Sequence, residues 1–194
     1  EESGQRHVVA LGASALAMGV ATGLSYPFFN VYFVTQQGAS AEAVGRIFAL
    51  SSVLSTAAAL TAPALAARVG YVRAIALSRL AAGAAMAAMA FSSSLGVAIA
   101  TFWLRNFALQ IMAPLIDAFG MAAVPANRRA VQASVTSTLW HAGYGFTSIF
   151  SGLIIVGFGF APPFIGAAVV ILGNAIVFWL YYRDWHQPST PASG

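Results

Sequence analysis

Apolar runs long enough to cross a bilayer recur six times in this chain, over about residues 8–34, 42–66, 72–92, 96–124, 130–156 and 161–183. A helix needs roughly 20 apolar residues to span the hydrocarbon layer. The chain therefore reads as an all-α integral membrane protein with six transmembrane helices. Composition supports the same class: 59% of the 194 residues are hydrophobic and 7% are charged, against about 25% charged in a soluble domain. No soluble core of this length could enclose that much apolar surface. The links between runs are short, which predicts that sequential helices pack as antiparallel neighbours. Residues 1–7 read as a cytoplasmic linker and 184–194 as a disordered cytoplasmic tail, polar and rich in proline and serine. The opening Glu1-Glu2-Ser3-Gly4 carries no initiator methionine or signal pattern, so the start reads as an internal fragment or processed product.

The arginines set a direction. Arg6, Arg68, Arg73, Arg128, Arg129 and Arg183 all fall at one set of alternate span ends, while the opposite links carry Glu42 with Arg46, then SSSL, then GFAPP. By the positive-inside rule both termini are cytoplasmic. Trp179, Tyr181, Tyr182 and Trp185 surround Arg183 as an interfacial aromatic belt. This distribution gives the basic charge a topological meaning and removes nucleic acid as a partner. The chain has no cysteine, so no disulfide framework, thiolate metal site or redox centre is expected, and no cofactor is implied.

Charge inside a span costs several kcal/mol and by default marks function. The fourth span carries Arg105, Asn106, Gln110 and Asp117 before it breaks at Val124-Pro125. At 100° per residue, Asn106, Gln110 and Asp117 share one face within about 60°, with Arg105 roughly 100° away. Arg105 and Asp117 are about 18 Å apart along the axis and cannot pair with each other within this helix. Arg105 is expected to act first among these residues, satisfied by a substrate anion, by water or by a carboxylate outside this chain, because no acid in the chain is an evident partner. Asp117 has two readings. It is a protonation site, or it braces the inner gate against Arg79 or the loop arginines; its depth, about 11 Å from the break, favours the brace.

Two other spans carry polar stripes. In the fifth, Ser134, Ser137, Thr138, His141, Tyr144, Ser148 and Ser151 fall on one face. The hydroxyls can line a cavity or bond back to their own helix; His141 would suit proton coupling or simple packing. In the first, Tyr26 and Asn30 lie one turn apart beside Pro27, placed to meet a substrate or to satisfy the carbonyl that the proline frees. Gly19 and Gly23, four apart, read as a close helix contact. Ser52–Thr56 and Ser134–Thr138 echo each other at places equivalent under two inverted three-helix repeats.

The order of these features resembles the C-terminal half of a major facilitator superfamily transporter. PFFNVYF at 27–33 and Ala43–Leu50 look like that family's seventh and eighth helices. Ala66–Arg73 is similar to its loop motif G-x-x-x-D-R-x-G-R-R, with Arg68, Gly70 and the basic Arg73 matching, and with Pro63 and Ala67 at the glycine and aspartate positions. Arg105-Asn106, Ala113-Pro114-Leu115, Val124-Pro125, Arg129-Ala130, Trp140, Gly143 and Ser151-Gly152 look like its tenth and eleventh helices, most like those of bacterial members. The resemblance covers nearly all of residues 8–183. It implies a half bundle of two inverted three-helix repeats, a central cavity closed by a second six-helix half, and alternating access.

On that reading the chain is half of a secondary active transporter of a small molecule, proton-coupled, in a bacterial inner membrane. Its partners are the substrate, the lipid bilayer and an N-terminal six-helix half or a second copy of the chain. Tyr26, Asn30, Arg105, Asn106, Gln110 and His141 are the cavity candidates; Arg68, Arg73, Arg79 and Asp117 are the coupling or gating candidates. The alternative is a non-transporting scaffold or assembly protein, which would need no polar stripe. An enzyme is not expected: no G-x-S-G nucleophile motif, H-E-x-x-H zinc motif or nucleotide-binding loop occurs.

Overall fold

The computed structural model describes residues 2–185. The expected tail from His186 to Gly194 lies outside the described residues. Six helices long and apolar enough to cross a membrane account for most of them. Helix α1 runs Glu2–Ser25, α2 Ala41–Val69, α3 Tyr71–Ala90, α4 Leu95–Ala123, α5 Arg129–Phe158 and α6 Ala161–Tyr182. Residues 2–7, expected as a linker, continue α1 instead, since a helix need not stop where its apolar run does.

Local chemistry sets most of the ends. Ser40 and Ser94 cap α2 and α4, their hydroxyls accepting from the Ala43 and Val97 amides at 3.2 and 3.4 Å. Gly70, at φ 83°, turns the chain from α2 into α3, a conformation that costs a residue with a Cβ. Val124 adopts an extended ψ of 134° because Pro125 follows it, and α4 ends there. Pro162 and Pro163 occupy the first turn of α6, where their missing N–H groups cost nothing. Pro27 has the opposite effect. It falls inside the first span, which stops at Ser25, tightens into a 3₁₀ turn over Tyr26–Phe28 and finishes as a π turn over Tyr32–Gln36.

The helices do not pack in chain order. The extensive contacts are α1 with α5, α2 with α4, α3 with α6, α3 with α4 and α1 with α6. Of the sequential pairs only α3 and α4 pack extensively, which corrects the expectation of antiparallel neighbours throughout. Short links constrain where the next helix starts but leave its lateral direction open. The observed pairing is that of two interlocked repeats. Exchanging α1, α2 and α3 with α4, α5 and α6 converts the α1–α5 contact into α4–α2, the α1–α6 contact into α4–α3, and returns α3–α6 to itself. The fold is thus a six-helix bundle of two inverted three-helix repeats.

The closest approach is between α1 and α5. A Cβ on Gly19 would collide with the Trp140 carbonyl, and one on Gly143 would lie 2.7 Å from the Leu16 carbonyl. Only glycine admits this spacing, which brings the hydroxyls of Thr147 and Ser151 within 3.1 and 2.7 Å of the Val20 and Leu24 carbonyls. Two aromatic clusters fill the rest of the bundle. Phe29, Phe33, Phe102 and Phe164 pack toward the end away from the six arginines; Phe119, Phe178 and Tyr182 pack toward the basic end.

A polar cavity with two buried arginines

A cavity of about 940 Å³ opens along one side of the bundle. Its walls come from α1, α2, α4 and α5; Arg79 is the one lining residue from α3, and α6 contributes none. The two repeats thus supply equivalent pairs of walls, with α3 and α6 behind them. In α4 the face carrying Asn106, Gln110, Ala113 and Asp117 points into the cavity, as the spacing of its polar residues predicts. In α1 the polar lining side chains are Ser14 and Thr22, beside Leu11, Ala15 and Met18, and Tyr26 of the following 3₁₀ turn continues the four-residue row of Ser14, Met18 and Thr22; α2 adds Ser51, Ser52, Ser55 and Thr56.

Both arginines of the span interiors reach this wall, and both are buried, Arg79 at 1% and Arg105 at 2% exposure. Neither forms an ion pair among the described residues. Arg105 donates from Nη1 to Asn106 Oδ1 at 2.9 Å and from Nη2 to Ser25 Oγ at 3.4 Å, and its Cζ lies 4.9 Å from the Phe29 ring centroid. Asn106 in turn donates to Ser51 Oγ at 2.9 Å. The network links α4 to α1 and α2 at the level where α1 is broken. Its Nε has no partner. Within the chain, two neutral oxygens and a ring face hold Arg105, and no acid among the described residues pairs with it. A desolvated cation over an aromatic face gains about 2 kcal/mol, which offsets part of the cost of burial.

Arg79 has an equivalent setting. Its Nη1 donates to Asn174 Oδ1 at 2.7 Å, its Nε to the Met112 thioether at 3.3 Å, and its Cζ lies 4.6 Å from the Phe178 ring. Asn174 is itself fixed by Ser14, accepting from its hydroxyl at 3.0 Å and donating to its carbonyl at 2.9 Å. Arg79 is thus a bolt between α3, α4 and α6, and the suggested brace to Asp117 does not form. Asp117 is exposed to the cavity and makes no hydrogen bond or ion pair with the described residues.

The other sequence candidates separate. Tyr26, Arg79, Arg105, Asn106, Gln110 and Asp117 line the cavity, whereas Asn30, Arg68, Arg73 and His141 do not. His141 is exposed, its Nδ1 2.8 Å from the Ser137 carbonyl. The expected α5 stripe divides: Ser137 faces the cavity, Ser148 bonds back to the Tyr144 carbonyl at 2.6 Å, and Ser151 holds α1. The lining row on α5 is Gln132, Thr136 and Trp140, flanked by Arg129, Ala133 and Ser137. Its four-residue steps were present in the sequence, but the denser serine row one position away masked them. Asn174 was also missed; it is a lone amide in the most apolar span, and that isolation was its signal.

This architecture has relatives. The family model described as Major Facilitator Superfamily matches residues 11–194. The chain belongs to the Major Facilitator Superfamily. Among solved structures, the POT family transporter PepTSo aligns with a TM-score of 0.78 at 18% identity, over 96% of this chain. At that identity the likeness concerns the fold. This superfamily chain spans 39% of the length of the PepTSo chain. No curated protein matches it.

Proposed function

We propose that this chain is one half of a secondary active transporter that moves a small molecule by alternating access. The observation that carries the proposal is the cavity itself. A polar wall in a lipid-solvated bundle is costly unless water or a ligand occupies it, and this one is built from equivalent helices of both repeats. A non-transporting scaffold has no use for such a wall. The cavity is open along one side, where an N-terminal six-helix half or a second copy of the chain would close it, and the greater length of the PepTSo chain leaves room for such a half. Both termini would face the cytoplasm, with the six terminal arginines on the negative side of a bacterial inner membrane.

Asn106, Gln110 and Tyr26 are the substrate-contact candidates, since they are polar side chains among the cavity lining. Asp117 is the coupling candidate: an accessible carboxylate with no fixed partner can exchange a proton as the cavity turns from one side to the other. Arg105 positions Asn106 and holds the α1 break. The test is transport in proteoliposomes of the full-length protein under an imposed proton gradient. Gradient-driven flux that Asp117→Asn abolishes and Gln110→Ala reduces supports the reading. Flux that neither substitution alters would overturn the assignment.

A further inference from the structure

On the face away from the cavity, α3 and α6 enclose a second groove of about 410 Å³. Its floor is made of small side chains, Ala76 and Ala175, at 5% and 1% exposure. Its walls are large: Leu77 and Ile176 are each 53% exposed, and Trp179 is 41% exposed. Two alanines opposite each other between bulky neighbours leave a slot rather than a flat helix surface. Its lining is apolar except at one end, where Arg73 stands on the first turn of α3. Arg73 is exposed and makes no hydrogen bond or ion pair with the described residues. The slot therefore has a shape and a polarity: a hydrocarbon-lined channel that ends at the basic rim of the bundle under an uncommitted guanidinium.

We propose that this groove is a binding site for one anionic phospholipid of the leaflet at the basic end. An acyl chain lies in the slot over Ala76 and Ala175, and the headgroup phosphate meets Arg73. The phosphate supplies the planar guanidinium with the acceptor geometry it favours, and the indole of Trp179 sits at headgroup depth, where amphipathic rings are favoured. Charge complementarity selects the occupant. A zwitterionic lipid offers the same acyl chain but no net negative charge to Arg73, and a protein helix would leave the guanidinium without a counter-ion. The site is independent of the cavity: its residues include none of the cavity lining.

The experiment is native mass spectrometry of the purified full-length protein with added phosphatidylglycerol or phosphatidylcholine. The expected result is one retained phosphatidylglycerol, with affinity about fivefold lower in Arg73→Gln, the factor that one basic residue contributes at a membrane surface. Arg68→Gln, at the same end but outside the groove, should leave that affinity unchanged. Leu77→Ala combined with Ile176→Ala removes the exposed walls without touching the helix contact and should weaken both lipids. Equal retention of the two lipids, or an equal loss in Arg68→Gln and Arg73→Gln, would reduce the effect to general surface charge and overturn the site.

Discussion

Arg79 and Asn174 are joined by a 2.7 Å hydrogen bond that ties α3 to α6 inside the bundle. The bond is the main polar partner of a guanidinium with 1% exposure, and Asn174 is kept in place by two bonds to Ser14. Replacing Asn174 by leucine removes the acceptor and leaves the charge buried. The expected loss is about 3 kcal/mol, at the upper end for a buried hydrogen bond to a charged group. Thermal unfolding of the detergent-solubilised full-length protein reads it, as a lowered Tm with Asn174→Leu and a smaller drop with Asn174→Gln. Equal Tm for Asn174→Leu and the parent would mean that Arg79 finds another acceptor.

The corresponding contact of Arg105 is with Phe29, whose ring faces the guanidinium at 4.9 Å. Phe29→Leu keeps the volume approximately and removes the π face, so it should cost about 1–2 kcal/mol, most of it the cation–π term. Arg105→Lys keeps the charge but cannot reach Asn106 and Ser25 together, and should free Asn106 in the cavity wall. The KM for the transported substrate should rise in Arg105→Lys more than in Phe29→Leu, while Phe29→Leu lowers Tm. A larger KM effect from Phe29→Leu would place the ring, not the arginine, against the substrate.

These contacts also show what a single sequence carries. The spans were legible because lipid imposes a simple requirement, some 20 apolar residues in succession, and the arginine pattern follows from the same solvent. The α4 polar face was legible because helical spacing is rigid: Asn106, Gln110 and Asp117 have no other way to align. The partners of Arg79 and Arg105 were not. Asn174, Ser25 and Phe29 lie far from them in sequence, and pairing depends on which helices touch, which short links do not determine. Nor does a buried charge have to meet an opposite charge. Amide oxygens and ring faces supply that balance here, and such residues are too common in a sequence to stand out.

Gly19 carries the crossing of α1 and α5, where an added Cβ would strike the Trp140 carbonyl. Backbone against backbone leaves no flexible atom to yield, so Gly19→Val should prevent the helices from docking and the protein from accumulating as a monodisperse species in gel filtration. Gly45, with open space around it, is the control. Gly45→Ala should be neutral or slightly stabilising, because alanine is favoured over glycine within a helix by about 1 kcal/mol. Equal yields from the Gly19 and Gly45 variants would contradict the close crossing.

Asp117 and His141 provide the sharpest functional contrast, since both are exposed and titratable and only one lines the cavity. Asp117 makes no hydrogen bond or ion pair with the described residues, so Asp117→Asn should leave the unfolding free energy within about 0.5 kcal/mol of the parent, as for other exposed sites. Its effect should fall on coupling. Gradient-driven accumulation should vanish, while exchange of substrate across the membrane without a gradient persists, because exchange needs no net proton movement. His141→Ala should leave both unchanged. Transport assayed in both modes separates the two residues. If His141→Ala abolishes accumulation and Asp117→Asn does not, the proton path runs along the exposed face of α5 instead of through the α4 wall.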